Sequence, residues 1–214
     1  MAIQSRRRKI CRKDITMDTK YSFYALISRM KYITRWSLMR NSKTENVQEH
    51  SHMVAVIAHA LAVIRKDKFG RKSDPGLAAS MALYHDSSEI FTGDLPTPVK
   101  YFDPEIMDAY KNVETVASKK LLAALPSELR PAYKKLLSPQ EDDEMYALVK
   151  AADKLSAYIK CLEELKAGNP EFKKAAEQCK EKLDSLGLPE VSYFIENLLP
   201  AFELTLDELD FSFE

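Results

Sequence analysis

His50, Val54, Ile57, Leu61 and Ile64 follow one another at steps of four, three, four and three, a spacing that lays one continuous stripe along an α-helix. The period recurs in Phe23, Leu26, Ile27, Met30 and Ile33, in Leu77, Met81, Tyr84 and Ser88, and in Leu148, Ala152, Leu155, Ile159 and Leu162. A chain patterned this way, with only 5 Gly in 214 residues, folds as helices packed on helices. Its 45% hydrophobic content supplies one well-packed core and its length makes two unnecessary, so an all-α, single-domain helical bundle is expected.

Local signals place the elements. A first helix from Tyr21 ends near Thr34, and Arg35 to Arg40 form a turn. Asn46 caps a second helix, with Glu49 completing a capping box, and His50 in its first turn. His52, Val56, His59 and Val63 give that helix a second apolar face, which predicts a central position. Ser73, Asp74 and Pro75 open a third helix that is expected to run unbroken to Gly93, carrying His85 and Asp86 about 100° apart around its axis. Glu89 shares their side, and Asp94 to Pro98 form a proline-stiffened loop. Asp103 and Pro104 start a fourth helix through Leu125, with Ile106, Tyr110, Val113 and Ala117 on one face. Pro126 and Pro131 flank a shorter piece, and Ser138 and Pro139 open a long helix to Ala167, closed by Gly168. Two outer helices, Pro170 to Leu186 and Pro189 to Leu199, complete the chain.

Formal net charge is zero, but the first twenty residues hold seven Lys or Arg against two Asp, net +5, leaving −5 for the body. Residues 1–20 are expected to be a disordered basic extension, with Met17 a second possible start, and 21–214 the folded domain. An acidic body gives no nucleic-acid surface. Three cysteines, Cys11, Cys161 and Cys179, lack zinc-finger spacing and read as free thiols of a reducing compartment. The longest apolar stretch, Met53 to Ile64, is interrupted by His59 and falls short of the ~20 residues a bilayer requires. No signal-peptide core follows the basic start, so a cytoplasmic protein without membrane contact is expected.

His50, His85, Asp86 and Asp153 carry the chemistry. Neutral imidazoles and ionised carboxylates form a mixed nitrogen and oxygen set suited to a first-row divalent ion, which polarises phosphoryl oxygens and acidifies bound water. Taken singly, each residue has an ordinary explanation: a histidine satisfied by a backbone group, or an Asp153 paired with Lys150 or Lys154. Together they fall on three helices that each also carry a core stripe, and helix bundles build metal sites in that way.

Three segments, SRMKYITRWSLMRNSKTENVQEHS, LYHDSSEIFTGDLPTPVKYF and LVKAADKLSAYIKCLEELKAGN, extend the pattern well beyond four residues. On these segments the chain resembles the HD-domain phosphohydrolases, with their H…HD…D signature, and within them the bacterial 5′-deoxynucleotidases, over roughly Tyr21 to Asp207. The resemblance implies that His50, His85, Asp86 and Asp153 bind one divalent cation, Co²⁺ or Mn²⁺, with water and substrate phosphate filling the remaining positions. It implies a deoxyribonucleoside 5′-monophosphate substrate, in contact with Arg35, Trp36, His50, Asp86, Asp94, Leu95, Pro96, Thr97 and Asp153. Arg35 is expected to distinguish 5′- from 3′-phosphates, Trp36 to crowd a ribose 2′-hydroxyl, and Glu89 to transfer protons. A homodimer is also implied. His52 and His59 face away from His50, which favours one metal over two. Lys100 reads as a solvated lysine, with added charge near phosphate as the alternative. The rival readings are an HD-type nucleoside triphosphohydrolase or cyclic-nucleotide phosphodiesterase, and a nucleotide-sensing module that does not turn over.

Overall fold

The computed structural model describes residues 21–100 and 102–209, so the basic segment 1–20 lies outside the described residues. Among these residues the regular structure is helical, and pairing of the β type is limited to one antiparallel bridge between Thr34 and Asn46.

Helix α1 (Phe23–Ile27) tightens into a 3₁₀ segment (Ser28–Tyr32), and a loop then leads to α2 (Val47–Val63), which ends in a π turn at Ile64–Lys68. Helix α3 (Pro75–Tyr84) is followed by two short helical turns, α4 (Glu89–Thr92) and α5 (Thr97–Lys100). Then come α6 (Pro104–Ala123), α7 (Arg130–Leu137), α8 (Glu144–Lys166), α9 (Lys173–Ser185, entered through a 3₁₀ turn at Pro170–Phe172) and α10 (Pro189–Asn197).

Caps explain the starts. The Asn46 side chain accepts from the amides of Gln48 and Glu49 at 3.0 Å each, while Glu49 reaches back to the Asn46 N–H. Asp74 and Asp103 cap α3 and α6 in the same manner, each ahead of a first-turn proline.

The core joins α2, α3 and α8. Val54, Ile57 and Leu61 of α2 meet Met81 of α3 and Leu148 and Leu155 of α8, all essentially inaccessible to solvent. Ala58, Ala78, Ala82, Ala151 and Ala152 are fully buried between them, and such small side chains let helix axes approach closely. Leu183, Val191 and Phe194 seal the outer side from α9 and α10.

Several expectations change. The long eighth helix begins at Glu144 rather than at Ser138, because the Asp143 carboxylate takes the amides of Met145 and Tyr146 at 2.8 and 3.4 Å and so outcompetes the Ser-Pro signal. The second face of α2 is solvent-facing: His52 and His59 are exposed and Val56 is 52% accessible. The helix is central through its contacts with α3 and α8, which dominate its packing. On α6 the buried residues are Tyr110, Ala117 and Leu121, with Ile106 and Val113 left at 40% and 46%.

The third helix breaks at His85. His85 N, Ser87 N, Glu89 N and Ile90 N each bond to a carbonyl three residues earlier, so the chain passes through a tight turn before α4. The break has a local cause. The His85 side chain takes the Ala82 carbonyl for itself, with Nδ1 at 2.7 Å.

The loop between α1 and α2 is anchored from below by a buried ion pair. Lys160 and Glu164 of α8, 5% and 1% exposed, pair with each other. Lys160 Nζ donates to the Lys43 carbonyl at 2.6 Å, and Glu164 accepts from the amides of Ser42 at 2.8 Å and Lys43 at 3.3 Å. Removing one partner would strand a buried charge, so this loop has a defined seat on α8.

Candidate active site

The capping box sets His50 in the first turn of α2, with no solvent exposure. Its Nε2 lies 3.0 Å from Asp153 Oδ1 and 3.7 Å from Asp86 Oδ2, while Nδ1 lies 3.3 Å from Ser156 Oγ on α8. His85 enters from the turn after α3. A carbonyl can only accept, so its contact with Ala82 puts the proton on Nδ1 and leaves Nε2 as the ligating end. That Nε2 is buried and has no hydrogen-bond partner, although Asp86 Oδ2 stands 3.1 Å and Asp153 Oδ1 4.0 Å away.

These observations fit a cation. Donor atoms of His50, His85 and Asp153 all lie within 4.8 Å of one another. Donors held ~2.1 Å from a common ion stand roughly 3 to 4 Å apart, and the distances above span that range. Asp86 closes the set against both imidazoles. Three helical segments therefore bring together the four residues that the sequence pattern proposed as ligands, despite the break at His85.

The carboxylates and imidazoles of the cluster set one another's charge. Burial opposes charging His85, but the neighbouring Asp86 and Asp153 carboxylates outweigh it and lift its pKa to about 9. Burial likewise opposes ionising Asp86, and His85, His50 and Arg35 outweigh it, holding it at about 2. Asp153 falls well below the usual carboxylate range against the same opposition from burial, through its hydrogen bond with His50 and the charges of His85 and Arg35.

Arg35 points into this cluster, with NH1 3.4 Å from Asp86 Oδ2. Its Nε donates to Glu45 Oε2 at 3.1 Å, and the indole Nε1 of Trp36 donates to the same oxygen at 3.1 Å. Trp36 has φ +58°, the left-handed region, and is the one non-glycine residue there among the described residues. Such a conformation costs on the order of 1–3 kcal/mol and persists only where the surroundings over-determine it. Here they do. Its carbonyl accepts from Met39 N at 2.9 Å and Asn41 Nδ2 at 3.2 Å, and its ring packs on Phe172 at 5.3 Å between centroids.

The Asp94 carboxylate also reaches this corner, facing the backbone N–H of Trp36; burial raises its pKa and the nearby Arg35 charge opposes the rise. Leu95 and Pro96 continue half-buried from Asp94, and Thr97 is exposed at the start of α5. Glu89 has one carboxylate oxygen buried without a hydrogen-bond partner. Burial, and then the charges of Asp86 and Asp94, push its pKa up to about 10, which favours the protonated carboxyl in the metal-free site. Lys100 differs from its solvated reading: it pairs with Glu114 at 3.1 Å and lies over the Tyr110 ring at 4.6 Å.

Two residues went unrecognised in the sequence. Glu45, just before the helix cap, carried no periodicity signal, and only its place in a quoted family segment pointed to it. Ser156 follows Asp153 by three residues on α8, and that helical spacing is the signal that could have found it. Its hydroxyl is the partner that orients His50. Ser156→Ala is expected to weaken divalent-metal affinity about 10–100-fold, as read by calorimetric titration of folded protein; an unchanged affinity would remove Ser156 from this role.

Comparisons with known proteins find relatives over most of the chain. A family model described as 5′-deoxynucleotidase YfbR-like matches residues 22–202. A 5′-deoxynucleotidase of Vibrio cholerae is 50% identical over 188 residues, covering 87% of this chain and 97% of that protein. The 5′-deoxynucleotidase YfbR of Escherichia coli is likewise 50% identical over 188 residues, covering 87% of this chain and 94% of that one. An HD-domain phosphohydrolase from Listeria innocua shares the fold, with TM-score 0.73 and 24% identity over 85% of this chain and 88% of its own. A cyanophage S-2L HD phosphohydrolase, solved with dA and one catalytic Zn²⁺ ion, has TM-score 0.56 and 22% identity over 82% of this chain and 95% of its own. With the family match running through nearly all the described residues, the chain belongs to the YfbR-like 5′-deoxynucleotidase family.

Proposed function

We propose that the protein hydrolyses deoxyribonucleoside 5′-monophosphates to deoxyribonucleosides and inorganic phosphate, with one divalent cation held by His50, His85, Asp86 and Asp153. The observation that carries this reading is the meeting of that ligand cluster with Arg35, beside the Glu89 carboxyl that has a buried oxygen without a hydrogen-bond partner. When bound, the cation supplies polarisation of a phosphoryl oxygen and a lowered pKa for water. Co²⁺ and Mn²⁺ are the ions we favour, and the Zn²⁺ of the cyanophage neighbour makes zinc the competitor to test.

The protein's own groups do the rest. Arg35, held by Glu45 and Asp86, presents N–H donors to the phosphate and steadies its developing negative charge. Water attacks phosphorus as the bond to O5′ breaks; Glu89 gives its proton to O5′, which leaves as the deoxynucleoside hydroxyl, and of the water's two protons one stays on the phosphate and the other returns Glu89 to its acid form. Asp94 and the Leu95 to Thr97 segment line the approach to the sugar, beside Trp36.

Trp36 excludes the ribose 2′-hydroxyl by occupying its space. Trp36→Ala is therefore expected to bring AMP turnover towards that of dAMP, a change of on the order of 100-fold or less. Phosphate release from the two nucleotides measures it, and an unchanged dAMP preference contradicts the steric account.

The same screen, run over deoxy- and ribonucleoside monophosphates with several metals, tests the whole reading. Among the described residues no helix is long and apolar enough to cross a membrane. We place the enzyme in the cytoplasm, as a homodimer that binds neither nucleic acid nor membrane. Light scattering on purified protein tests the dimer.

A further inference from the structure

We infer that Glu45 is a positioning residue that sets the phosphate-binding Arg35 and the sugar-selecting Trp36 with a single carboxylate oxygen, so that turnover and deoxyribose selectivity depend on it together. The inference rests on the deoxynucleotidase reading above. Adjacent residues of an extended chain point to opposite sides. Arg35 and Trp36 do not, because the left-handed turn at Trp36 breaks the alternation, and both side-chain N–H groups reach Glu45 Oε2 at 3.1 Å.

Glu45 is itself well placed to impose that geometry. Its side chain is 17% exposed, and its backbone carbonyl accepts from Arg35 N at 2.9 Å beside the Thr34 to Asn46 bridge. The residues just before it are seated on α8 by Glu164 and Lys160, so the carboxylate is attached to the bundle core rather than to a free loop. A charged acceptor shared by guanidinium and indole forms stronger bonds than a neutral one, and it fixes the fork that Arg35 turns towards Asp86. Without it, Arg35 would keep its contact with Asp86 alone and the Trp36 ring its packing on Phe172.

Trp36 is the only tryptophan, so its emission reports the clamp directly. Glu45→Ala is expected to red-shift that emission and to make it more accessible to acrylamide. It is also expected to lower kcat/KM for dAMP by on the order of 100-fold and to reduce the dAMP-over-AMP ratio. Glu45→Gln keeps an oxygen acceptor and is expected to restore the emission and most of the selectivity. The separate anchoring of the loop by Glu164 keeps the fold of both variants in place, which circular dichroism checks.

A folded Glu45→Ala protein with wild-type emission and a wild-type dAMP-over-AMP ratio would overturn the inference. So would a folded Glu45→Gln protein that loses selectivity while its indole is undisturbed. A wild-type enzyme with no preference for dAMP would instead sink the sugar-selection reading of Trp36. In that case the emission change on Glu45→Ala still establishes the clamp.

Discussion

Asp153→Asn and His85→Ala are expected to abolish phosphate release from dAMP while leaving a folded helical protein. Asp153 Oδ1 is 3.0 Å from His50 Nε2, and its side chain is 37% exposed at the edge of the cluster, so an isosteric amide fits without opening the core. His85 has only 9% of its side chain exposed, but it sits in a turn after α3 rather than among the packed alanines. Asp153→Asn opens no cavity, and His85→Ala opens one beside the partly exposed Asp86 and Asp153 rather than the fully enclosed one that His50→Ala would leave. Circular dichroism checks the fold, and calorimetry checks the loss of metal.

The wild-type protein adds a pH signature. His85 has its folded, metal-free pKa raised from 6.5 to about 9, so its proton stabilises the apo protein fully below 6.5, and that contribution is lost as pH rises through about 9. Metal binding requires the neutral ring. Below about pH 9 the apparent affinity should therefore fall about tenfold per pH unit, with release of about one proton on loading. An affinity independent of pH over this window contradicts the competition between proton and metal.

Glu89→Gln is expected to lower kcat about 10²–10⁴-fold, the range for loss of a general acid. Glutamine matches the size of Glu89 and has no acidic proton to give. The wild-type rate should fall as pH rises through the Glu89 pKa, which is about 10 without metal and lower once a nearby cation favours the carboxylate. That alkaline limb should be missing from the residual activity of the variant.

Stability should move the other way. Between 4.5 and about 10 the unfolded chain loses the Glu89 proton and the native protein keeps it, so wild-type stability declines across that window as pH rises. Glu89→Gln removes the decline and should melt at a higher temperature near neutral pH. A slower yet more heat-stable variant is the mark of a group kept for chemistry at a cost in stability. Undiminished turnover by Glu89→Gln would exclude it as the acid.

Much of this was legible in the sequence where one local rule acted alone. Asn46, Asp74 and Asp103 cap helices as their residue types and neighbours predict. The stripe from Val54 to Leu61 is buried as its period requires, and the quartet His50, His85, Asp86 and Asp153 converges. Legibility failed where side chains compete with backbone rules. Ser138 and Pro139 resemble a helix start, but the Asp143 carboxylate binds the amides that count. Helical periodicity carried the third helix through His85, whose own ring takes the carbonyl at Ala82. The left-handed Trp36 and the acceptor role of Glu45 depend on contacts made from α2, α8 and the 3₁₀ turn before α9, which no local pattern records.

The most direct test is product analysis on metal-stripped protein, before and after adding back Co²⁺ or Mn²⁺, with dAMP, AMP and dGTP as substrates. The account predicts no turnover without metal, and orthophosphate from dAMP well ahead of AMP once metal is restored. Tripolyphosphate from dGTP as the main product, or full activity in the stripped protein, would contradict it.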